Sequence, residues 1–295
     1  SDIASSASVS AFTIAAAEKI SRQTSVEKMV ADVGSLGREQ ILYGARLRAT
    51  FSQSVNDALA TDDGAVAILY VLVLDQNKNT RERQINLISE KESAPLAKIA
   101  LQLFDEITAL GERYRWPLLE LCLPNIAQLD SGRLSVVKLT LRELITFDGK
   151  MDFGEFVVLL ATESLLASYT SRSTRYKFRQ LSALKSEVVA ILGLLAKASG
   201  GDRADQQLAF SDAAALCGFK AIELPEISGS SFTSYSQAIS KLRQLVPVKK
   251  QKVFEACVQI ALRDKVINIK EEELLRILAG AFECPMPPSG SPDFV

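Results

Sequence analysis

Hydrophobic and polar positions alternate along this chain with a helical period almost throughout. From residue 132 to 147, Leu134, Val137, Leu141, Leu144 and Ile145 lie on one stripe, and Phe153, Phe156, Val157 and Leu160 resume the spacing from 152 onward. Steps of three and four residues bring such side chains to one helix face. In "GREQILYGARLRATFSQSVNDALA", Ile41, Ala45, Leu47 and Phe51 follow nearly the same rule. The pattern predicts further helices at about 62–75, 79–90, 93–112, 117–128, 175–199, 204–217, 232–246, 248–263 and 269–283. Pro117 falls at a helix start, where its missing N–H costs nothing. Thr24 to Glu27 reads as a capping box opening a short helix. Two-residue alternation is nearly absent. The expected fold is therefore all-α, a multi-helix bundle whose short loops make neighbours antiparallel.

The interruptions suggest how the chain is divided. Residues 1–23 are rich in Ser and Ala with weak periodicity and read as a linker. The stretches "ASGGDRAD" (198–205) and "LPEISGSSFTS" (224–234) are candidate hinges. The end, "CPMPPSGSPDFV", holds four prolines and cannot continue a helix. We expect a linker at 1–23, an N-terminal helical domain at 24–130, helical units at 131–200 and 201–288, and a tail at 289–295.

One corner between helices repeats. "TFDGKMDFGEF" (146–156) has the look of half an EF-hand, with Gly149 in the sixth place and Glu155 in the twelfth. The first place then falls on Leu144, which offers no oxygen and belongs to the preceding apolar stripe. Capping accounts for the same residues: Asp148 and Gly149 turn the chain, Asp152 caps the next helix, and Glu155 completes a capping box. "LRDKVINIKEEELL" repeats it, with Asp264, Ile267, Asn268 and Glu271 standing where Asp148, Met151, Asp152 and Glu155 stand. Lys265 replaces the glycine. A looser third copy, "VLVLDQNKNTRERQINLI", has Asp75 in the Asp148 place. Helix, Asp-turn, helix is thus an internal repeat.

Composition narrows the chemistry. The 295 residues contain no histidine, which excludes a Ser–His–Asp triad, a Cys–His dyad and His-ligated zinc or haem within this chain. No nucleophile–base pair is evident, so the chain reads as non-enzymatic. The net charge of −1 provides no field that would recruit nucleic acid. Cys122, Cys217, Cys257 and Cys284 form no CxxC pair and sit in apolar helical contexts, which predicts reduced, buried, inert thiols. The longest apolar run, "AVAILYVLVL" (65–74), is too short to span a bilayer. No basic segment followed by an apolar one marks a signal peptide, and the chain starts without Met, so we expect a piece of something longer. "DVGSLGRE" lacks the Lys-Ser/Thr of a phosphate loop. The basic run "YTSRSTRYKFRQLSALK" carries Arg172, Arg175, Lys177, Arg179 and Lys185 with Tyr169, Tyr176 and Phe178 interleaved and no acid. It reads either as a solvated helix start or as a contact for anionic lipid or an acidic partner. "VKKQK" (248–252) is a second basic cluster, at a helix start that the dipole does not favour for cations.

The repeated corner between apolar helices resembles that of TerB-like helical domains. The run "LVPVKKQKVFEACVQIALRDKVINIKEEELLRILAGAFECPMPP" looks like the end of bacterial membrane-bound zinc metallopeptidases of the HtpX / CAAX-prenyl-protease type that carry a long cytosolic C-terminal extension. "AVAILYVLVLDQNKNTRERQINLI" and "FDGKMDFGEFVVLLA" resemble parts of that extension in the same order, so the likeness covers most of residues 35–288. It implies that the units at 131–200 and 201–288 are TerB-like. Such proteases hold zinc through HExxH and a later Glu, and none of those residues carries over, because this chain has no His. The resemblance then implies a non-catalytic regulatory or interaction domain on the cytosolic side of a bacterial inner membrane. Its expected partners are the protease and transmembrane part of its own chain, with protein substrates or regulators, and zinc belongs to that parent alone. TerB-like domains are also associated with metal binding by acidic clusters, which makes Asp148, Asp152, Glu155, Asp264, Glu271 and Glu272 candidate ligands. The alternative is a stand-alone TerB-like stress-response or metal-sensing protein.

Overall fold

A computed structural model describes residues 19–21, 47–170, 176–226, 232–264 and 266–284. The described chain is a multi-helix bundle, as the periodicity predicts, and it forms two compact units. One holds the helices between residues 47 and 170. The other holds those between 176 and 284 together with the strand Lys19–Ser21.

The first unit comprises α1 (Gln53–Leu59), α2 (Asp62–Val71), α3 (Lys78–Lys91), α4 (Ala94–Leu110), α5 (Arg115–Ile126), α6 (Ser131–Ile145) and α7 (Phe153–Thr170). Its starts follow the capping rules. Ser52, Thr61, Asn77, Ser93 and Asp130 each accept hydrogen bonds from backbone N–H groups of the first turn they precede. The apolar run recognised in the sequence becomes α2, in which every residue from Gly64 to Val71 is buried. Enclosure by α1, α4 and α5 explains why that helix carries no polar face. Each of its buried Val, Ile and Leu side chains contributes about 1.5–3 kcal/mol. Where α1 meets α2 the backbones nearly touch: a Cβ on Gly64 would lie 2.2 Å from the Ala58 carbonyl oxygen.

The second unit comprises α8 (Lys185–Ala198), α9 (Arg203–Leu216), α10 (Phe232–Leu242), α11 (Pro247–Ala261) and α12 (Ile269–Ala281). Helix α8 is central and packs on the other four. The candidate hinge at 198–205 is the turn from α8 to α9, which pack together within this unit.

Three expectations need correction. Residues 1–23 were expected to be a linker, yet β1 (Lys19–Ser21) pairs antiparallel with β2 (Val266–Asn268), in the register Lys19↔Asn268, Ile20↔Ile267 and Ser21↔Val266. The helix expected from 175 starts only at Lys185, after a 3-10 turn at Leu181–Leu184. Phe178 instead bridges to Leu245 in parallel. Lys177 and Phe178 donate their N–H groups to the Gln244 carbonyl at 2.8 and 3.1 Å, and Val246 returns a bond to Phe178 O at 3.0 Å. The same pairing ends α10 at Leu242, short of the expected 246. The proposed capping box at Thr24 to Glu27 lies outside the described residues.

Candidate functional site

The acidic corner singled out in the sequence closes as its local chemistry requires. Gly149 sits at φ +74°, the left-handed region where glycine meets no steric penalty. Asp148 Oδ1 accepts from Lys150 N–H at 2.9 Å and tightens the turn. Asp152 Oδ1 then accepts from Glu155 N–H at 2.8 Å, and Glu155 Oε2 accepts from Asp152 N–H at 2.8 Å. That reciprocal pair is a capping box.

The corner does not stand alone. Gln84 of α3, only 2% exposed, joins it to the turn between α2 and α3. Its Oε1 accepts from Asp75 N–H at 2.8 Å, while its Nε2 donates to Val73 O at 3.3 Å and Leu144 O at 3.2 Å. Asp75 thereby comes close enough to act on Glu155. Burial pushes the Glu155 carboxyl up to about 8; the charges of Asp152, Asp148 and Asp75 add to the rise, and the Asp152 N–H opposes it. A carboxyl so shifted can hold or release a proton near neutral pH. Sequence reasoning missed Gln84. Its one signal is its position four residues before the buried Ile88, which places a polar side chain on the buried stripe.

The C-terminal corner has the same construction. Asp264 Oδ1 accepts from Val266 N–H at 3.0 Å. Asn268 and Glu271 form the reciprocal capping box of α12, with bonds of 2.9 and 3.1 Å. Glu271 is 2% exposed, and Asn268 Nδ2 also donates to Ala198 O at 3.1 Å, tying the corner to the end of α8. Lys265, in the glycine place, lies outside the described residues. The third copy shares the Asp-turn, since Asp75 Oδ1 accepts from Asn77 N–H at 2.6 Å and Asn77 caps α3.

The structure places Asp148, Asp152 and Glu155 together in the first unit and Asp264 and Glu271 together in the second. It gives each of these carboxylates a backbone N–H to hold. Glu272 instead accepts from Arg276 at 3.1 Å. Among the described residues no group of three or more His, Cys, Asp or Glu side chains is arranged to hold a metal ion.

Of the basic run, Arg172 and Arg175 lie outside the described residues. Lys177, Arg179 and Lys185 are exposed, the first two on the segment before α8. Lys185 Nζ sits 5.9 Å from the centre of the Phe219 ring. The cluster "VKKQK" resolves differently. Lys250 is 2% exposed, with Nζ 5.2 Å from the Tyr176 ring centre and 3.9 Å from Glu283. A cation at an unfavourable helix start thus finds internal partners.

All four cysteines are free thiols. Burial pushes the Cys122 thiol up to about 12 and Cys217 up to about 11, and it raises Cys257 further, so the three buried thiols are poor nucleophiles. Cys284 is half-buried rather than enclosed.

Among the described residues no helix is long and apolar enough to cross a membrane. Comparison with protein-family models, with curated proteins and with solved structures finds no match to this chain.

Proposed function

We propose that this chain is a non-catalytic helical interaction module, of the kind that bacterial membrane-bound zinc metallopeptidases of the HtpX / CAAX-prenyl-protease type carry on the cytosolic side. In this reading it positions substrates or regulators for the attached protease and makes no bond itself. The observation that carries the reading is the recurrence, in family order, of the Asp-turn and cap between apolar helices: Asp75 with Asn77, Asp148 with Asp152 and Glu155, Asp264 with Asn268 and Glu271. The absence of histidine agrees with a module whose zinc is held elsewhere in its parent. The exposed Lys177, Arg179 and Lys185 suit a nearby anionic surface, a lipid headgroup layer or an acidic partner.

The test is made in native cells. An antibody to the chain is used to blot membrane and soluble fractions by size. A membrane band far heavier than 32.1 kDa is expected. A soluble band at that mass would sink the protease-arm reading.

A second reading, a stand-alone TerB-like metal sensor, draws on the charges of Asp152, Asp148 and Asp75, which act on the Glu155 carboxyl, although among the described residues no group of three or more such side chains is arranged to hold an ion. Calorimetric titration with calcium, zinc and manganese decides it. Micromolar binding that Asp148→Asn abolishes would support the sensor. Its absence leaves the carboxylates as caps.

A further inference from the structure

Residues 222–226, Ile-Glu-Leu-Pro-Glu, lie outside any helix or strand, and four receptors on α8 and α9 hold them. Gln207 of α9 supplies the first. Its Nε2 donates to Ile222 O at 3.2 Å, and its Oε1 accepts from Leu224 N–H at 2.8 Å. A carbonyl and the N–H two residues later are what one edge of an extended strand presents to its neighbour. One side-chain amide thus stands in for a strand, as in recognition by strand addition. Ser211 Oγ, 2.8 Å from the same Nε2, holds the amide in place.

The other receptors read side chains. Leu224 is 4% exposed. Pro225 lies directly on the backbone of α8, where a Cβ on Gly193 would come within 2.6 Å of Pro225 Cγ and 2.9 Å of its Cδ. Glycine in mid-helix is disfavoured against Ala, so its presence there marks a close approach. Glu226 then meets two cations, Arg203 Nη2 at 2.6 Å and Lys197 Nζ at 4.0 Å. The Arg203 bond and charge hold its carboxyl below the usual carboxylate range.

The strap is held by side chains and joins no helix or strand ladder. Among the described residues its backbone bonds rest on one side chain, Gln207, and it starts from Ala221 at φ +53°, a conformation strained for Ala. We propose that the α8–α9 groove is a receptor for a linear peptide of Ile-x-Leu-Pro-acidic chemistry on a protein partner, and that residues 222–226 are its resident competitor. This deepens the interaction-module reading and rests on it; it needs no zinc-peptidase neighbour.

The probe is a fluorescein-labelled peptide, Lys-Ala-Ile-Glu-Leu-Pro-Glu-Ile, titrated by anisotropy against the full chain. A tethered competitor acts at an effective concentration on the order of millimolar, and apparent affinity falls with the fraction of open groove. Leu224→Ala loosens the strap, so that variant is expected to bind the peptide at least tenfold more tightly than the wild-type chain. Adding Gln207→Ala, or giving the peptide Ala in the Leu position, is expected to reverse the gain. Should Leu224→Ala fail to fold, Arg203→Glu at the exposed end of the groove serves instead. It is expected to prefer a peptide ending in Lys-Ile over one ending in Glu-Ile, and equal binding of the two would overturn the groove. No saturation by either variant up to about 1 mM peptide also overturns it. So does self-association through the strap that excess peptide fails to dissolve, since the occupant would then be a second copy. A negative titration with a heavy membrane band removes the groove and keeps the module. A positive titration with a light soluble band removes the protease arm and keeps the groove.

Discussion

Gln84 Nε2 donates to the carbonyl oxygen of Leu144 at 3.2 Å, joining residues sixty positions apart inside the first unit. The same amide serves Val73 O and Asp75 N–H, so one side chain satisfies backbone groups of two turns. Gln84→Leu keeps the bulk and removes all three bonds. Leu144 O still accepts from Phe147 N–H at 3.4 Å, so Val73 O and Asp75 N–H are the two groups that lose this partner; at about 1–3 kcal/mol each, the expected loss is about 3 kcal/mol. Urea denaturation monitored at the single tryptophan, Trp116, reads it.

Two glycines test two different reasons for glycine. Gly64→Ala drives a Cβ to 2.2 Å from Ala58 O and 2.5 Å from Ala58 Cα, both backbone atoms that no rotamer change can move. The helices must separate, and the expected loss is about 3 kcal/mol, at the upper end for overpacking. Gly149→Ala meets nothing within 4 Å, and only its φ of +74° resists. Its expected loss is about 1 kcal/mol. Equal losses in thermal melts would contradict this separation.

Glu155 predicts a pH slope. An unfolded Glu titrates near about 4.3, and the folded Glu155 near about 8. Below the lower value both states are protonated. Between the two values only the unfolded chain has released its proton, so the folded state binds more protons and stability falls as pH rises. Above about 8 the loss is complete. Glu155→Gln removes the titration and keeps an acceptor for Asp152 N–H. Melting temperature measured from about pH 5 to pH 8 is expected to decline in the wild type and to decline less in the variant.

Asn268 carries both a cap and a tether. Asn268→Ala removes the acceptor for Glu271 N–H and the donor to Ala198 O. The cap alone is worth about 1 kcal/mol, and the buried Ala198 carbonyl left behind adds about as much. Asn268→Asp keeps the cap, loses the tether, and is expected to fall between the wild type and Asn268→Ala in chemical denaturation.

The corners were legible before any coordinates because capping is local. Asp148, Asp152 and Glu155 lie within eight residues, and their side chains bond backbone groups two or three positions away. Helices α4, α6 and α7 were legible because their apolar spacing is sustained over several turns. The polar anchors were not. Gln84 and Gln207 are ordinary glutamines until the tertiary fold brings distant backbone groups to them. Residues 176–180 misled for a different reason. Tyr176 and Phe178 extend the apolar spacing toward α8, but bonds to Gln244 and Val246 claim the backbone of Lys177 and Phe178 first. Nor does a three-residue strand such as Lys19–Ser21 have enough alternation to announce itself.

The pairing of Lys19 with Asn268 has a consequence for synthesis. It nests residues 47–170, in chain order, between one strand of the second unit and the rest of it. As the polypeptide leaves the ribosome, residues 47–170 have every partner for their own core while the second unit still waits for its last strand and helix. Closing a loop of that length has an entropic cost that grows only slowly with its size. Residues 47–170 are therefore expected to fold before the second unit, whose strand pair closes only once β2 has emerged.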